Sequence, residues 1–298
     1  MHDVYAYGVI APSTLYELNG AFPPAAGYAE LAAIYPSVGG EAAGGAYVLA
    51  RLGVATKLAG NRLHDDEAAA RAVRVLASVG VDCTAITLDP QAVPLIEAVF
   101  AAGDTRTVFG TYGGLLAQRS WNEPARDDVV TSRIVCVDPF FEDASLQVAR
   151  WCLEANVPYV TIDVHHDSEM AHHGAALIIS EEFASRTFEP FDPEEVLAAY
   201  TARCRGLVIL TQGGRRVVYA RGDAPIQEHI PFSVEVRDTT GAGDSVRAGV
   251  IYGMLRDYGD DRLVTTASAV AAMVCRQAPS FLNSPTEAEL EEFLSRRT

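Results

Sequence analysis

A run of seven residues near the C-terminus carries the residue types that phosphate chemistry needs. Asp238-Thr239-Thr240-Gly241-Ala242-Gly243-Asp244 follows a strand-like segment and opens an Ala- and Gly-rich helical stretch. Glycines let the backbone approach a ligand, and the first N–H groups of a helix form an anion site with the helix dipole. Asp244 falls in the first turn, where a carboxylate can accept the proton of an attacking hydroxyl. Since a helix cap needs only one such residue, the run predicts a phosphate-handling site.

A second polar cluster follows a predicted strand that ends at Asp163. It reads His165-His166-Asp167-Ser168-Glu169, then His172-His173. Strand ends of α/β proteins are places where ligands bind, but the cluster lacks the His-Glu-x-x-His spacing of known zinc sites. A polar loop near the pocket is favoured over a metal site, and His165 is a candidate substrate contact. Arg106 has two interpretations, a substrate contact or an exposed strand residue.

The charge balance excludes several function classes. Against 23 basic residues stand 39 acidic ones, a net charge of −16. That sign disfavours nucleic-acid binding and docking on anionic membranes. Lys57, the only lysine, lies outside any Gly-Lys-Ser/Thr sequence, so the chain does not have the Walker A loop of P-loop nucleotide-binding proteins. The third glycine of a dinucleotide fingerprint is replaced by Val246, which argues against a nicotinamide-dependent oxidoreductase.

The elements that must position these residues alternate between apolar strands and helices. Strands are predicted at 4–10, 54–59, 133–137, 159–162, 175–179 and 207–210, and helices at 40–52, 65–78, 144–155, 193–203, 243–255, 263–275 and from about 286. This alternation predicts one α/β domain over residues 1–298, with a mostly parallel sheet between helical layers. Residues 11–38 and 94–112 break the pattern. The second segment has a hairpin turn at Ala102-Gly103-Asp104, so we expect a small β-sheet lid from the two segments.

The cysteines predict a reducing environment. Five are present, an odd number without Cys-x-x-Cys spacing, as expected of buried, reduced thiols in a cytoplasmic protein. The chain begins without a signal-peptide pattern, and no apolar run is long enough to span a bilayer.

The 238–249 stretch resembles the C-terminal signature of the ribokinase/PfkB family of carbohydrate kinases. Further segments resemble the family in the same order along nearly the whole chain: Gly39-Gly40 with Leu49-Ala50-Arg51-Leu52-Gly53, Gly60-Asn61 with Asp65-Asp66, Gly80-Val81-Asp82, and Leu210-Thr211-Gln212-Gly213-Gly214. The resemblance implies a three-layer α/β/α sandwich with a lid. It also implies transfer of the γ-phosphoryl group of ATP, with Mg²⁺, to a hydroxyl of a sugar or small polyol.

The resemblance also implies roles for individual residues. Asp244 would be the base, and the anion hole would comprise Gly241, Ala242 and Gly243. Thr211, Gly213 and Gly214 would lie against ATP, and Asp238 and Thr240 would contribute to a monovalent-cation site for K⁺. The exposed edge of the lid sheet would suit a homodimer contact.

The chain departs from the family where the substrate and the metal bind. Ser13 stands at a usual Asp, Gly44 at a usual Asn, and Ser180-Glu181-Glu182-Phe183 replaces Asn-x-x-Glu, which leaves Glu181 or Glu182 as indirect Mg²⁺ ligands. We therefore expect a substrate other than plain ribose or fructose, with Glu41 as the replacement contact. The candidate substrate residues are Ser13, Gly39, Gly40, Glu41, Gly44, Arg106 and His165. A nucleoside kinase and a catalytically silent ligand-binding relative remain as alternatives.

Overall fold

The computed structural model describes residues 2–296. Its strands are β1 Val4–Gly8, β2 Ala11–Leu18, β3 Leu31–Gly39, β4 Thr56–Gly60, β5 Leu63–His64, β6 Leu88–Asp89, β7 Glu97–Ala102, β8 Thr105–Gly110, β9 Ile134–Val137, β10 Tyr159–Ile162, β11 Ala176–Ser180, β12 Leu207–Thr211, β13 Val217–Arg221 and β14 Gln227–His229. Its helices are α1 Glu41–Arg51, α2 Glu67–Ser78, α3 Tyr112–Ala117, α4 Arg126–Val130, α5 Glu142–Ala155, α6 Glu169–His173, α7 Glu181–Ala184, α8 Pro193–Thr201, α9 Ala242–Met254, α10 Asp260–Cys275 and α11 Glu287–Ser295.

An eight-stranded sheet forms the centre of the molecule, in the order β14-β13-β12-β11-β10-β9-β1-β4. The strands from β12 to β4 pair in parallel, whereas β13 and β14 are added antiparallel at one edge. The inner strands are continuous apolar runs such as Ile134–Val137, buried throughout, because helices cover both faces of a parallel sheet. The predicted α/β fold with a mostly parallel sheet is confirmed.

Two hydrophobic cores lie on opposite faces of this sheet. Residues of α1, α2, α9, α10 and α11 pack on one face, and residues of α5, α6 and α8 pack on the other. The last helix begins where its sequence predicts, because Thr286 and Glu289 form a reciprocal capping box.

A separate four-stranded sheet forms the lid, in the order β3-β2-β7-β8. The β7–β8 hairpin turns at Gly103, whose φ is 63°. Strand β2 pairs parallel to β7 and antiparallel to β3, so both pattern-breaking segments contribute strands. The side chain of Asn61 ties the start of the lid to the main sheet, since it accepts from the Ile10 amide at 2.8 Å and donates to the Ile10 carbonyl at 2.9 Å.

Several elements differ from the sequence-based expectation. The stretch before Asp238 is irregular over 230–236 and forms no strand. Pro231 interrupts that stretch and has no N–H to donate to a ladder. The edge strands β13 and β14 and the short helices α3, α4, α6 and α7 were not predicted. In the described part of the chain, 2–296, no helix has the length and apolar character needed to cross a bilayer.

Candidate active site

A cleft of about 500 Å³ lies where the carboxyl ends of the parallel strands meet the lid. The lid contributes Glu97, Val99, Arg106 and Val108, and the body contributes the starts of α1, α7 and α9 with Asp163 after β10. Ligands of open parallel sheets bind at this edge of the fold. The topology therefore assembles chemistry-bearing residues from distant parts of the sequence.

Helix α9 presents Asp244 to the cleft from its first turn. Gly241 caps the helix at φ 72°, a left-handed conformation that favours glycine. The Ala242 amide donates to the Thr239 carbonyl at 3.2 Å, so it closes the turn. A helix leaves its first N–H groups without intrahelical acceptors, and those that follow Ala242, beginning at Gly243, are available to an anion.

The environment of Asp244 holds its pKa at about 7, well above the ordinary value. Burial is the largest cause, because desolvation disfavours the charged carboxylate. The positive charge of Arg247 acts in the opposite direction, and the negative charge of Asp138 raises the pKa further. A base with a pKa near neutrality suits proton transfer at physiological pH.

Beneath Asp244 lies a fully buried ion pair between Arg247 and Asp138. Nη1 of Arg247 donates to Oδ1 of Asp138 at 2.6 Å, and neither side chain is exposed. Oδ2 of Asp138 also accepts from the amides of Val9 at 2.8 Å and Ala42 at 3.0 Å. Nη2 of Arg247 lies 4.0 Å from Oδ1 of Asp244.

Two glutamates, Glu41 and Glu97, line the lid end of the cleft. Glu41, the first residue of α1, lines it, and burial raises the pKa of this carboxyl to about 8, helped by the charges of Asp138 and Asp244. Glu97 from β7 is 8% exposed and accepts a hydrogen bond from the Tyr112 hydroxyl. A Cβ at Gly39 would overlap the Glu97 carboxylate, so a side chain there would displace Glu97 from its present position.

The backbone turn at Gly40 brings Glu41 to this position. Gly40 has a φ of 90° and is the N-cap of α1. A Cβ at Gly40 would overlap the Val9 carbonyl oxygen. Gly39 and Gly40 both line the cleft, in line with their place among the candidate substrate residues.

Three candidate substrate residues lie elsewhere in the structure. Ser13 is buried in strand β2 and does not line the cleft. Gly44 lies behind Asp244, where a Cβ would be 3.1 Å from Oδ2 of that residue. His165 is about half exposed outside the cleft, close to Asp167.

The histidine cluster is a compact exposed loop. Ligand atoms of His165, His166 and Asp167 lie within 4.8 Å of one another. The Asp167 carboxylate is already paired with Arg203, which competes with a cation for it. The arrangement fits the polar loop favoured from the sequence.

Arg106 extends from the lid strand β8 across the cleft. Its Nη1 lies 3.5 Å from both the carbonyl and Oγ1 of Thr239. It is the cation in the cleft that approaches the 238–244 turn from the lid, and its charge lowers the pKa of Asp244.

The proposed nucleotide residues form the loop after β12. Thr211 ends that strand, and Gly213 follows with a φ of 60°. A Cβ at Gly213 or Gly214 would meet nothing within 4 Å, so this loop offers an open backbone surface. The loop lies beyond the residues that line the cleft.

The two glutamates of the altered metal motif point in different directions. Glu182 lines the cleft and pairs with Arg186 at 2.6 Å. Glu181 is paired with Arg215 on the β12–β13 loop. Asp163 stands beside Glu182, held by the amide and hydroxyl of Ser180 at 2.7 and 2.9 Å.

Asp238 is fully buried and braces the turn that carries the motif. Oδ1 accepts from the Thr240 amide at 2.8 Å, and Oδ2 accepts from the Ser280 amide at 2.9 Å. Oγ1 of Thr240 is buried and, among residues 2–296, has no hydrogen-bond partner. An orphaned oxygen of this kind suits a cation ligand.

Sequence reasoning missed five residues of this site: Glu97, Tyr112, Asp138, Arg186 and Arg247. A signal existed for Asp138, since it directly follows the buried strand Ile134–Val137. Arg247 offered a weaker signal, because it falls three residues after Asp244 in a helix and so shares its face.

Comparisons with known proteins agree on one family. The chain matches the pfkB family carbohydrate kinases over residues 25–287. A ribokinase of Arabidopsis thaliana is 28% identical over 181 residues, which are 56% of this chain and 48% of that protein. The aligned stretch thus spans about half the length of that curated relative.

Solved structures match over the whole chain. A candidate ribokinase from Agrobacterium tumefaciens superposes with a TM-score of 0.88 at 21% identity, covering 99% of this chain and 98% of that one. A nucleoside kinase from Methanocaldococcus jannaschii gives 0.79 at 20% identity, covering 99% of each chain. At these identities the likeness shows the fold.

Proposed function

Because the chain belongs to the pfkB family of carbohydrate kinases, we propose that it transfers the γ-phosphoryl group of ATP to a hydroxyl of a sugar or related small polyol. The observation that carries the proposal is Asp244, which faces the cleft from the first turn of α9 with a pKa near 7. In such a reaction a carboxylate can accept the proton of the hydroxyl, and the amides of the helix N-terminus beside it can stabilise the transferred phosphate.

Asp244 accepts the proton of the acceptor hydroxyl in this proposal. The amides at the start of α9 and the guanidinium of Arg106 stabilise negative charge on the transferred group. ATP would supply the phosphoryl group and leave as ADP, and Mg²⁺ would balance the charge on the phosphates. The chain's own contribution is to position the hydroxyl against Asp244 and to exclude water by means of the lid.

The residues present fit ATP and Mg²⁺. The open glycine surface at Gly213 and Gly214 suits a nucleotide, and Thr211 stands at its edge. Both glutamates are paired with an arginine, but Glu182 lines the cleft and Glu181 does not, which makes Glu182 the better indirect Mg²⁺ ligand. We place K⁺ at the turn that Asp238 braces, with the unpartnered Thr240 hydroxyl beside it.

The substrate end of the cleft favours a phosphoryl acceptor, that is, a substrate, with several groups that can donate hydrogen bonds. Glu97 is buried and can accept hydrogen bonds, whereas Glu41, with a pKa of about 8, is mostly protonated at pH 7 and can donate as well as accept. An unpaired polar group in a closed pocket costs about 1–3 kcal/mol. Vicinal hydroxyls, which both donate and accept, would satisfy both carboxyl groups, and an ammonium group would pair with either one in its ionised form; this is the basis for expecting a substrate other than plain ribose or fructose.

A nucleoside is the second candidate acceptor. Six of the side chains that line the cleft are apolar: Val9, Val99, Val108, Leu115, Leu116 and Phe140. Such a lining suits a base, as pockets that bind aromatic ligands are mostly apolar. Relatives include a Burkholderia thailandensis nucleoside kinase solved with inosine and an Arabidopsis thaliana ribokinase solved with ribose and ATP.

A second copy of the chain is the partner that the lid suits. Tyr28, Ile34 and Phe109 are all more than half exposed on it, and exposed apolar patches mark association surfaces. Sedimentation equilibrium of the protein and of Ile34→Glu would show a dimer that the variant loses. A monomeric wild-type protein would contradict this part of the proposal.

An ATP-consumption screen tests the function. The panel should contain pentoses, hexoses, amino sugars, inositols and nucleosides. Asp244→Asn should lower kcat on the best acceptor by about 10²–10⁴-fold, the usual effect of losing a general base. The KM for ATP should change little. Turnover above half of wild type in the variant would refute the base, and no turnover on any acceptor by the wild-type protein would favour a silent binding relative.

A further inference from the structure

The ion pair beneath the proposed base is fully buried and leaves two guanidinium nitrogens without partners among the described residues. Arg247 lies one helical turn after Asp244 and is 0% exposed. Its Nη1 is engaged by Asp138, while Nε and Nη2 have no hydrogen-bond partner among the described residues. A buried guanidinium with free donors is unfavourable. The carboxylate that Nη2 approaches, at 4.0 Å, is that of Asp244.

Two glycines, Gly8 and Gly44, make room for this arrangement, whereas a Cβ at the neighbouring Gly45 would be in ordinary contact with it. A Cβ at Gly8 would overlap the Asp138 carboxylate. A Cβ at Gly44 would lie 3.1 Å from Oδ2 of Asp244, and one at Gly45 would lie 3.7 Å from Nη2 of Arg247. The glycine at position 44 therefore lets α1 pack closely behind the base and its neighbour.

We infer that Arg247 and Asp138 are positioning residues that set the charge state of Asp244 with opposite signs, the first favouring and the second opposing its ionised form. This inference rests on the proposed role of Asp244 in phosphoryl transfer. Neither residue lines the cleft, so both act through Asp244 and not through contact with a substrate.

The other charged and titratable groups around Asp244 do not replace this pair. The lid supplies one cation, Arg106, which is exposed and screened by water. Arg247 is fully buried, where an opposite charge acts more strongly. The remaining groups oppose ionisation of Asp244 or are neutral at pH 7: Glu41 of α1, Glu97 of β7, Tyr112 of α3, and Cys136 of β9.

The test measures the pH dependence of Asp244 in two ways. One is the acidic limb of kcat against pH. The other is titration of the Asp244 carboxyl carbon by NMR on protein labelled with [γ-¹³C]aspartate, with its signal assigned by comparison with Asp244→Asn. The second readout does not require turnover. It therefore separates failure of this inference from failure of the proposed function.

Arg247→Met and Asp138→Asn should shift the titration in opposite directions. Loss of the cation should raise the midpoint by at least about one pH unit, whereas loss of the neighbouring anion should lower it by about one unit or less. Arg247→Lys keeps the charge and should stay within about half a unit of wild type. Both single variants break the same ion pair, so a purely structural role predicts equal signs.

Two further variants keep the test decisive. Val250→Ala, a buried truncation on the same helix, should lower the melting temperature without moving the midpoint. If a single variant fails to fold, Arg247→Met/Asp138→Asn removes both partners, which is better tolerated than removing one. Its midpoint should rise by less than that of Arg247→Met, because Arg247 affects Asp244 more than Asp138 does. A midpoint below that of wild type in the double variant, or equal signs in the singles, would overturn the inference.

Discussion

At the scale of single residues, the cleft gathers more carboxyl groups than one proton transfer needs. Asp244, Glu41 and Glu97 all face it, and burial raises the pKa of Asp244 and of Glu41, with repulsion from neighbouring carboxylates such as that of Asp138 adding to the effect. In the proposed reaction Asp244 is the base, which leaves Glu41 and Glu97 to bind the acceptor. Carboxyl groups in different surroundings have different pKa values and can therefore take different roles in one site.

The Tyr112–Glu97 pair is predicted to bind the acceptor and to leave the chemical step alone. Tyr112→Phe removes the hydroxyl that holds the Glu97 carboxylate. Since a hydrogen bond to a charged group contributes about 1.5–3 kcal/mol, KM for the acceptor should rise about 10- to 100-fold. The values of kcat and of KM for ATP should stay within about threefold. Steady-state kinetics measures all three.

Tyr28→Phe is a matched control for this prediction. It removes another lid tyrosine hydroxyl that lies beside a glutamate, Glu30 at 3.3 Å, but Tyr28 is 83% exposed. Its kinetics should equal those of the wild-type protein. A fall in kcat without a change in KM for Tyr112→Phe would contradict the binding role and place this pair in the chemical step.

At the scale of elements, the turn that starts α1 is predicted to be intolerant of any side chain. Gly40→Ala would combine a φ of 90° with a Cβ that overlaps the Val9 carbonyl. The start of α1 must then shift, and Glu41 and Asp244 lose their alignment. We expect turnover to fall at least about tenfold and the melting temperature to fall by several degrees.

Gly80→Ala separates the overlap from the backbone strain. Gly80 has a φ of 95°, close to that of Gly40, but a Cβ there would meet nothing within 4 Å. Its melting temperature should fall by less than that of Gly40→Ala, and its turnover should not change. Equal losses in the two variants, measured by calorimetry and kinetics, would show that strain alone matters at Gly40.

Regular elements were predictable from the sequence because local pattern determines them. The buried runs at 134–137 and 159–162 and the Thr286 cap gave correct strands and a correct helix start. Asp138 and Arg247 could not be predicted as a pair, because they are 109 residues apart and meet only through packing. Glu97 could not be predicted as a cleft residue, because the alternation of side chains along a hairpin strand does not show which face of the hairpin covers a cleft.

At the scale of the whole molecule, the clustering of acidic groups at the cleft lowers the free energy of unfolding. The chain carries a net charge of −16, and several carboxyl groups converge on one cleft. Burial raises the pKa of Asp163 as well as those of Asp244 and Glu41. In the proposed function Asp244 accepts a proton and Glu41 and Glu97 bind hydroxyl groups, which would explain why a destabilising cluster is kept.

The unfolding free energy of the ligand-free protein should therefore fall as pH rises from about 5 to 8. Glu41 has a pKa of about 8 in the folded protein and about 4.3 in an unfolded chain. Between these values the folded state binds more protons, so stability is lost as pH increases. Asp244, with a folded-state pKa of about 7, contributes with the same sign.

Glu41→Gln isolates this contribution from the general repulsion of an acidic protein. The variant should melt at a higher temperature than wild type at pH 8, by at least about 2 °C, and at a similar temperature at pH 5. Glu291→Gln removes an exposed carboxyl from α11 and should keep the wild-type slope of melting temperature against pH. Calorimetry between pH 5 and 8 measures these slopes.

If Glu41→Gln and Glu291→Gln had equal slopes of melting temperature against pH, net charge and not the buried carboxyl would set the pH dependence. A stabilised Glu41→Gln that also loses acceptor binding would show that this glutamate is kept for function at the expense of stability.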